Sequence, residues 1–407
     1  MKVGHLSEYF SGVAAKRLRD VEVNPQTSHQ HEFNGVNGLR KMLGDDDRAF
    51  PATYMYVDDN AEDSCVVEST AKWYDARRQT SRSAEYRLYY PPSAVMEKAQ
   101  SNDFLVVAQR RDKSLLVLVA SHGSTAENQV RLLFGLHEAG DKFEVRTESD
   151  TDEILLNFIG KRILDAIGVE VNDSDDNFLE KLLDQFGGVF PTTKVFSEFT
   201  RSTLPDVSAS DGPDEAIDTW MEREEVLFRT LERHIVGERL RLGFGPAGDD
   251  VDKFVSFSLS VQNRRKSRVG HALENHLEAV FKASSLKYSR TQETENKARP
   301  DFLFPGITHY RDPLFSETNL TALGVKSTCK DRWSQVLAEA NRIDRKHLFT
   351  LEPGISVNQT NAMQAHRLQL VIPASLFPTY TAPQQSWLIN LKEFISLVSA
   401  RQKTAGL

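Results

Sequence analysis

The period of the hydrophobic pattern changes part-way along this chain, and that change restricts the fold more than any other feature. As far as about residue 135 the apolar residues come in short runs between turn residues, at 54–57, 71–74, 86–90, 104–108 and 115–120. Runs of this length, rich in valine and aromatics, predict strands, and the Arg-Arg-Asp-Lys-Ser stretch between the last two predicts a hairpin turn. Across 150–186 the spacing turns helical, with Ile154, Leu155, Phe158, Ile159, Ile163, Leu164 and Ile167 recurring along it. Residues 200–216 read as a surface loop or boundary. The two periods cannot share one layer, so a mostly-β domain followed by an α/β domain is predicted. We place the first over 1–150, an acidic helical connector over 151–189 and the second over 190–407; a chain of 407 residues is long enough for two or three cores.

Within the last part a helix is predicted over 218–240, then a turn at Gly-Phe-Gly-Pro-Ala-Gly, then a second helix opened by Ser267 with Val269, Ala272, Leu273, Leu277, Val280 and Phe281 as its apolar positions. Strands are predicted at 301–304 and 320–327, a helix over 331–343, strands at 347–351 and 368–372, and a closing helix from Ser386. That order describes a mixed central sheet with flanking helices.

Two cysteines, Cys65 and Cys329, stand 264 positions apart without a Cys/His cluster, which argues against a disulfide framework or structural zinc and for a reducing, cytoplasmic setting. The apolar runs fall far short of the ~20 residues that cross a bilayer, and the first ten residues lack a signal-peptide core, so no membrane is expected. The net charge of −8 is unevenly placed: residues 141–185 hold thirteen acidic against five basic side chains, which equals the whole excess. Residues 71–90 hold five basic against two acidic, and residues 261–300 nine against four. Local basic regions on an acidic chain suit a protein that touches phosphate at chosen places.

Pro300-Asp301 opens one predicted strand and Lys326 ends the next, so a carboxylate and an ammonium can meet at one edge of the sheet. An Asp oxygen can hold Mg²⁺ against a scissile phosphate while a neighbouring Lys stabilises charge or positions water. Many such sites carry a second acid two residues before the lysine, where this chain has Gly324. The replacement candidate is Glu339, which a helical wheel puts on the rim of the buried stripe formed by Trp333, Val336, Ala340 and Ile343. A charge there needs a partner, and a metal beside Asp301 would supply one. Glu274 has a similar rim position near Phe281. Each acid taken singly also reads as a solvated helix residue. Arg264, Arg265, Lys266 and Arg268 would enter the Glu274 helix at its N-terminus, where an anion is favoured, or form a solvated charge run. In Lys330-Asp331-Arg332 an Arg can take guanine O6 and N7 while an Asp accepts from cytosine N4; Asp331 can equally cap the next helix. The glycine-rich turn lacks the Lys-Ser/Thr of a nucleotide-binding loop, and the eleven histidines show no zinc or triad spacing.

Four separated blocks, NRRKSRVGHALENHLEAVF, RPDFLFP, LGVKSTCKDRWSQVLAEANRI and HLFTLEPGIS, resemble the catalytic domain of EcoRII-type restriction endonucleases, in order and over roughly 190–400. The resemblance implies a PD-(D/E)XK fold whose second acid is displaced past the lysine, with Asp301, Lys326 and Glu339 in the catalytic positions, Asp301 and Glu339 on Mg²⁺, Glu274 as an additional acid and Lys330, Asp331 and Arg332 reading C:G pairs. Tyr310 matches a family tyrosine without an assigned role. Lys16, Arg17, His29, Trp73, Arg77, Arg78, Arg82, Glu85 and Arg87 resemble the two DNA-gripping arms of the family's B3-like pseudobarrel effector domain; read from the residues alone, the aromatics of 73–90 fit a β core nearly as well as a DNA clamp. At Trp220-Met-Glu-Arg-Glu-Glu225 the chain is less basic than the family tends to be where it flips a base pair.

The implied protein is a Mg²⁺-dependent, type IIE-like restriction endonuclease, monomer or homodimer, that cuts double-stranded DNA at a short C/G-rich CC(A/T)GG-like site. Its N-terminal domain would bind a second DNA copy, and a cognate DNA methyltransferase is expected beside it. Two other readings stay open: a non-catalytic DNA-binding regulator on a dead nuclease fold, and a mismatch-directed repair nickase.

Overall fold

The computed structural model describes residues 4–24, 31–60, 63–136, 140–156, 158–169, 175–328 and 333–407. They form two compact units, one of Met1–Gly168 with Pro353–Asn358 and Pro378–Gln385, the other of Val169–Glu352, Gln359–Phe377 and Ser386–Leu407.

The first unit is built on eight strands: β1 (Phe10–Arg17), β2 (Glu32–Asn34), β3 (Arg48–Val57), β4 (Cys65–Asp75), β5 (Tyr86–Tyr89), β6 (Phe104–Arg110), β7 (Leu115–Ala120) and β8 (Glu144–Arg146). Their order across the sheet is β2-β5-β4-β3-β7-β6-β1-β8, antiparallel throughout except for β3 beside β7. The sheet curls in the manner of a pseudobarrel. Every residue of β7 is buried, which is why its run is continuously apolar and does not alternate. In β4 the alternation survives, and it turns Ala71 and Trp73 inward while Lys72 faces water. The predicted turn after β6 closes with Arg110 N–H donating to Ser114 O at 2.9 Å. A short antiparallel pair, Gly4–His5 with Leu155–Leu156, and a helix over Phe158–Ala166 also belong here.

The second unit opens with α1 (Leu179–Phe186), α2 (Thr193–Ser202), α3 (Pro213–Leu242) and α4 (Val251–Ala283). Leu182, Phe196, Leu227, Phe228 and Leu231 pack where the first three meet. The sheet runs β9 (Ser289–Arg290), β10 (Phe302–Phe304), β11 (Thr321–Lys326), β12 (Lys346–Thr350) and β13 (Leu368–Val371), with antiparallel pairings up to β11 and parallel ones beyond it. Between β10 and β11 lies α5 (Ile307–Arg311), and α6 (Leu391–Thr404) ends the chain. Phe281 of α4 and Phe394 of α6 both meet Phe304 of β10, at 5.2 and 5.8 Å between ring centroids.

Two expected elements differ. The second helix does not begin at Ser267: α4 starts at Val251 with Asp250 as its cap, the Asp250 carboxylate accepting Lys253 N–H at 3.0 Å. Arginine and lysine are good helix formers, so the basic run lies inside the helix and meets no free N-terminus. The helix expected over 331–343 is a 3₁₀ segment, Trp333–Ala338, that stops where Ala340 takes a left-handed φ of 50°. The step of three from Trp333 to Val336 suits that tighter period as well as the α period.

Candidate active site

Strand geometry makes the Asp301–Lys326 pair. Phe302 lies opposite Leu323 in the antiparallel register of β10 and β11, so the residue before β10 faces the end of β11. Val325 N–H donates to Asp301 Oδ2 at 2.7 Å, and Lys326 Nζ stands 3.4 Å from the same oxygen. Thr291 N–H holds the Asp301 carbonyl at 3.1 Å. Both side chains keep some exposure, 17% for Asp301 and 24% for Lys326, so the pair is open to a ligand.

Gly324 explains why the second acid is elsewhere. A Cβ on it would lie 2.6 Å from Val336 Cγ2, because the 3₁₀ segment packs directly over this face of β11. No carboxylate fits there. The same segment delivers Glu339 just past its end. Glu339 Oε2 is buried and has no hydrogen-bond partner among the described residues. Burial above all, then the charge of Asp301, raises its pKa to about 7 against the opposing pull of Lys326 and Lys346. The helical wheel placed Glu339 at the rim of a buried stripe, and it is half-buried there, just past the end of a 3₁₀ segment and not on an α-helix.

Asp301 and Glu339 are hard oxygen donors, and the buried Glu339 oxygen without a hydrogen-bond partner among the described residues gives a cation a ready ligand. No cluster of three or more His, Cys, Asp or Glu able to hold a metal occurs among the described residues. Two carboxylates suit Mg²⁺, which commonly keeps waters and takes the rest of its oxygens from phosphate.

Glu274 has a protein partner of its own. Its carboxylate pairs with Arg290 Nη2 at 2.8 Å, and Arg290 also grips Glu278 at 2.8 Å and Asn275 at 2.9 Å. Tyr310 is buried, with its hydroxyl 2.7 Å from both Glu295 carboxylate oxygens. Lys346, not anticipated from sequence, is buried at the start of β12 beside Ala322 and on the face of Lys326; burial lowers its pKa, and Asp344 and then Glu339 counteract that. A lysine leading an apolar run was the available signal.

The basic run divides. Arg268 is buried, paired with Glu225 and lying over the Phe228 ring, and Arg265 pairs with Glu232 at 2.6 Å. Arg268 is thus a packing residue and not a phosphate contact. Arg264 lies over the Phe190 ring, and Lys266 is exposed. Trp220 and Glu224 of α3 point inward, with Glu224 2.8 Å from His276 Nε2. Lys330, Asp331 and Arg332 lie outside the described residues, as does His29.

In the first unit, two expected DNA contacts are corrected. Lys16 is buried, with its ammonium 2.5 Å from Glu22, and Trp73 is fully buried with its indole N–H on Gly44 O at 2.9 Å. Strand β1 is buried without a break from Gly12 to Lys16, and the alternation of β4 turns Trp73 inward, so both lie in the core. Arg17 is bound to Glu127, Arg77 to Glu85 and Arg78 to Asp47, while Arg87 bridges Glu32 and Glu85. Arg82 is exposed.

Residues 228–395 match the family model described as EcoRII C terminal. Type II restriction enzyme EcoRII of Escherichia coli is 35% identical over 281 residues, covering 65% of this chain and 68% of that protein. Among solved structures, Ecl18kI in complex with uncleaved DNA overlaps 56% of this chain and 86% of its own at 17% identity and a TM-score of 0.45. A PspGI–substrate DNA complex overlaps 53% and 94% at 13% identity and 0.44. An identity of that level over two thirds of a curated relative settles the kinship: the chain belongs to the EcoRII family of type II restriction endonucleases.

Proposed function

We propose that this type II restriction endonuclease requires Mg²⁺ and hydrolyses double-stranded DNA at a short C/G-rich site of the CC(A/T)GG kind, with Asp301, Lys326 and Glu339 as its catalytic residues. The observation that carries this is the buried oxygen of Glu339, without a hydrogen-bond partner among the described residues, beside the Asp301–Lys326 pair. A divalent ion held by Asp301 and Glu339 would supply the positive charge that offsets the developing charge on the scissile phosphate. Asp301 is aimed by the Val325 N–H, and this bond keeps its carboxylate fixed as DNA arrives. Lys326 holds an ammonium at the same place, able to orient an attacking water or neutralise a phosphate oxygen. Base reading falls to Lys330, Asp331 and Arg332, and backbone contact to Arg264 and Lys266. The first unit is read as an effector module for a second DNA copy, its contacts coming from Arg78 and Arg82 and not from Lys16 or Trp73.

Incubating intact plasmid with the protein and Mg²⁺, then sequencing the ends, tests the reading. Double-strand breaks at fixed C/G-rich sites are expected; no cutting, or nicks confined to mismatches, would overturn it.

A further inference from the structure

Glu339 sits between two restraints. Upstream, its N–H donates to Val336 O at 3.2 Å and closes the 3₁₀ turn. Downstream, Ala340 holds the left-handed φ of 50°, which costs an alanine about 1 kcal/mol and persists only where the surroundings enforce it. Ala340 itself is buried in a cluster with Leu303, Tyr310, Leu320, Ala322 and Ile343.

The polar surroundings form a clasp. The Glu295 carboxylate accepts the Tyr310 hydroxyl and, at 3.3 Å, the Asn341 N–H. The Tyr310 oxygen accepts the Arg342 N–H at 3.2 Å. Two consecutive peptide N–H groups are therefore held directly after Ala340. The Arg342 guanidinium then folds back onto the end of α5 and the chain after it: Nη1 donates to Tyr310 O and, at 2.9 Å, to Asp312 O, and Nη2 to Phe315 O at 3.0 Å. Nε faces Glu317 at 3.4 Å. One planar side chain with five donors ties the turn after Glu339 to three main-chain carbonyls, which a lysine cannot do. Burial raises the Glu295 pKa, but the Tyr310 hydroxyl, two backbone N–H groups and Arg342 outweigh it and leave it lowered, so it stays an acceptor near neutrality.

We infer that Arg342, through its clasp with Glu295 and Tyr310, is the positioning residue that holds Glu339 toward Asp301. This rests on the reading of Glu339 as a metal-holding acid. Arg342 touches none of the reacting groups; it fixes the backbone conformation from which Glu339 projects.

The test uses the full-length protein with Arg342→Met, Arg342→Lys and Glu295→Gln, beside Glu339→Gln. Each is measured for Mn²⁺ binding by electron paramagnetic resonance, for the Mg²⁺ concentration giving half-maximal plasmid cleavage, and for thermal unfolding. Arg342→Met is expected to weaken Mn²⁺ binding and raise the half-saturating Mg²⁺ by about 10-fold or more, as loss of a supporting partner does at metal sites. Arg342→Lys should restore little of this despite keeping the charge. Glu295→Gln serves where Arg342→Met unfolds, and is expected to shift both readouts in the same direction by a smaller factor. Unchanged Mn²⁺ binding and Mg²⁺ dependence in folded Arg342 and Glu295 variants, with Glu339→Gln inactive, would overturn the clasp alone. A fully active Glu339→Gln would remove the underlying reading of Glu339, and the clasp proposal with it.

Discussion

Arg87 and Glu339 are both half-buried charges beside a sheet, and their surroundings are opposite. Around Arg87 the charges are matched: Glu32 lies 2.7 Å away, Glu85 2.8 Å, and Tyr74 donates to Glu32. Burial first, then Glu32, lifts the Tyr74 pKa to about 12, so the hydroxyl remains a donor. Around Glu339 Lys326 pairs with Asp301, Lys346 acts on Glu339 only through its charge, and one buried Glu339 oxygen has no hydrogen-bond partner among the described residues. A matched cluster has already exchanged its water for protein partners and can serve to hold strands β2 and β5 together. A mismatched one keeps a standing cost of burial that a ligand can remove. Charge alone, which both regions share, does not mark a site; the imbalance does.

The largest effect should come from breaking the mismatched region. Asp301→Ala or Glu339→Gln is expected to lower cleavage by about 10³-fold or more while cognate DNA binding without metal stays within a few fold, since a metal ligand acts on the reaction more than on docking. Plasmid cleavage and gel-shift titration measure the two; parallel loss of both would assign these acids to docking. Next in size is Arg332→Ala, expected to weaken cognate binding by about 1–3 kcal/mol with little change on non-cognate DNA, as removal of a base contact does. Competition binding on the two DNAs checks it.

Much of this was legible in the residues, for reasons the structure makes plain. The strand runs of the first unit and the Pro300-Asp301 to Lys326 pairing follow from period and register, both short-range properties. Glu339 was picked out by burial arithmetic that assumed an α-helix; the 3₁₀ segment ends just before it, at Ala338, and leaves it half-buried. What stayed hidden depends on distant chain. The N-terminus expected at Ser267 was lost because nothing in Arg264–Arg268 stops a helix already running from Val251. Whether Lys16 faces DNA or Glu22 is decided by how β1 meets the short helix Asp20–Val23, and the partner of Glu274 is Arg290, sixteen residues on. The clasp on Glu339 joins Glu295, Tyr310 and Arg342, and no local pattern links them.

A smaller effect follows from the raised pKa of Glu339. The folded protein without metal binds a proton there that the unfolded chain has released above pH ~4.5. Stability contributed by this group is therefore present at low pH and is lost as pH rises toward about 7. Glu339→Gln should remove that loss, making the metal-free protein more stable at pH 8 by about 1–2 kcal/mol, discounted because the carboxyl is partly exposed. At pH 5 the difference should shrink toward zero. Denaturant unfolding at the two pH values with chelator present gives the answer, and a variant less stable at pH 8 would mean that Glu339 has a protein partner. For the same reason the half-saturating Mg²⁺ should fall as pH rises from 6 to 8.

The smallest effect tests whether the matched region hides an unmatched edge. Arg82 is exposed and forms no ion pair among the described residues, whereas Arg87, five positions on, is bound to two carboxylates. If Arg82 contacts a phosphate of a second DNA copy, Arg82→Ala should leave unfolding within about 0.5 kcal/mol, as surface changes usually do. It should weaken binding of the effector DNA a few fold and reduce the slope of log affinity against log salt by about one, the counterion released at a single phosphate. Arg87→Ala should behave in the reverse way. Removing the cation shared by Glu32 and Glu85 leaves two acids facing each other beside β5, so the loss should show in thermal unfolding before it shows in the salt slope. Salt-titrated binding and unfolding of the two variants side by side separate these roles. A change in salt slope on Arg87→Ala without loss of stability would mean that DNA displaces the carboxylates from Arg87, and that the matched cluster is itself a DNA-binding surface held closed by its own acids.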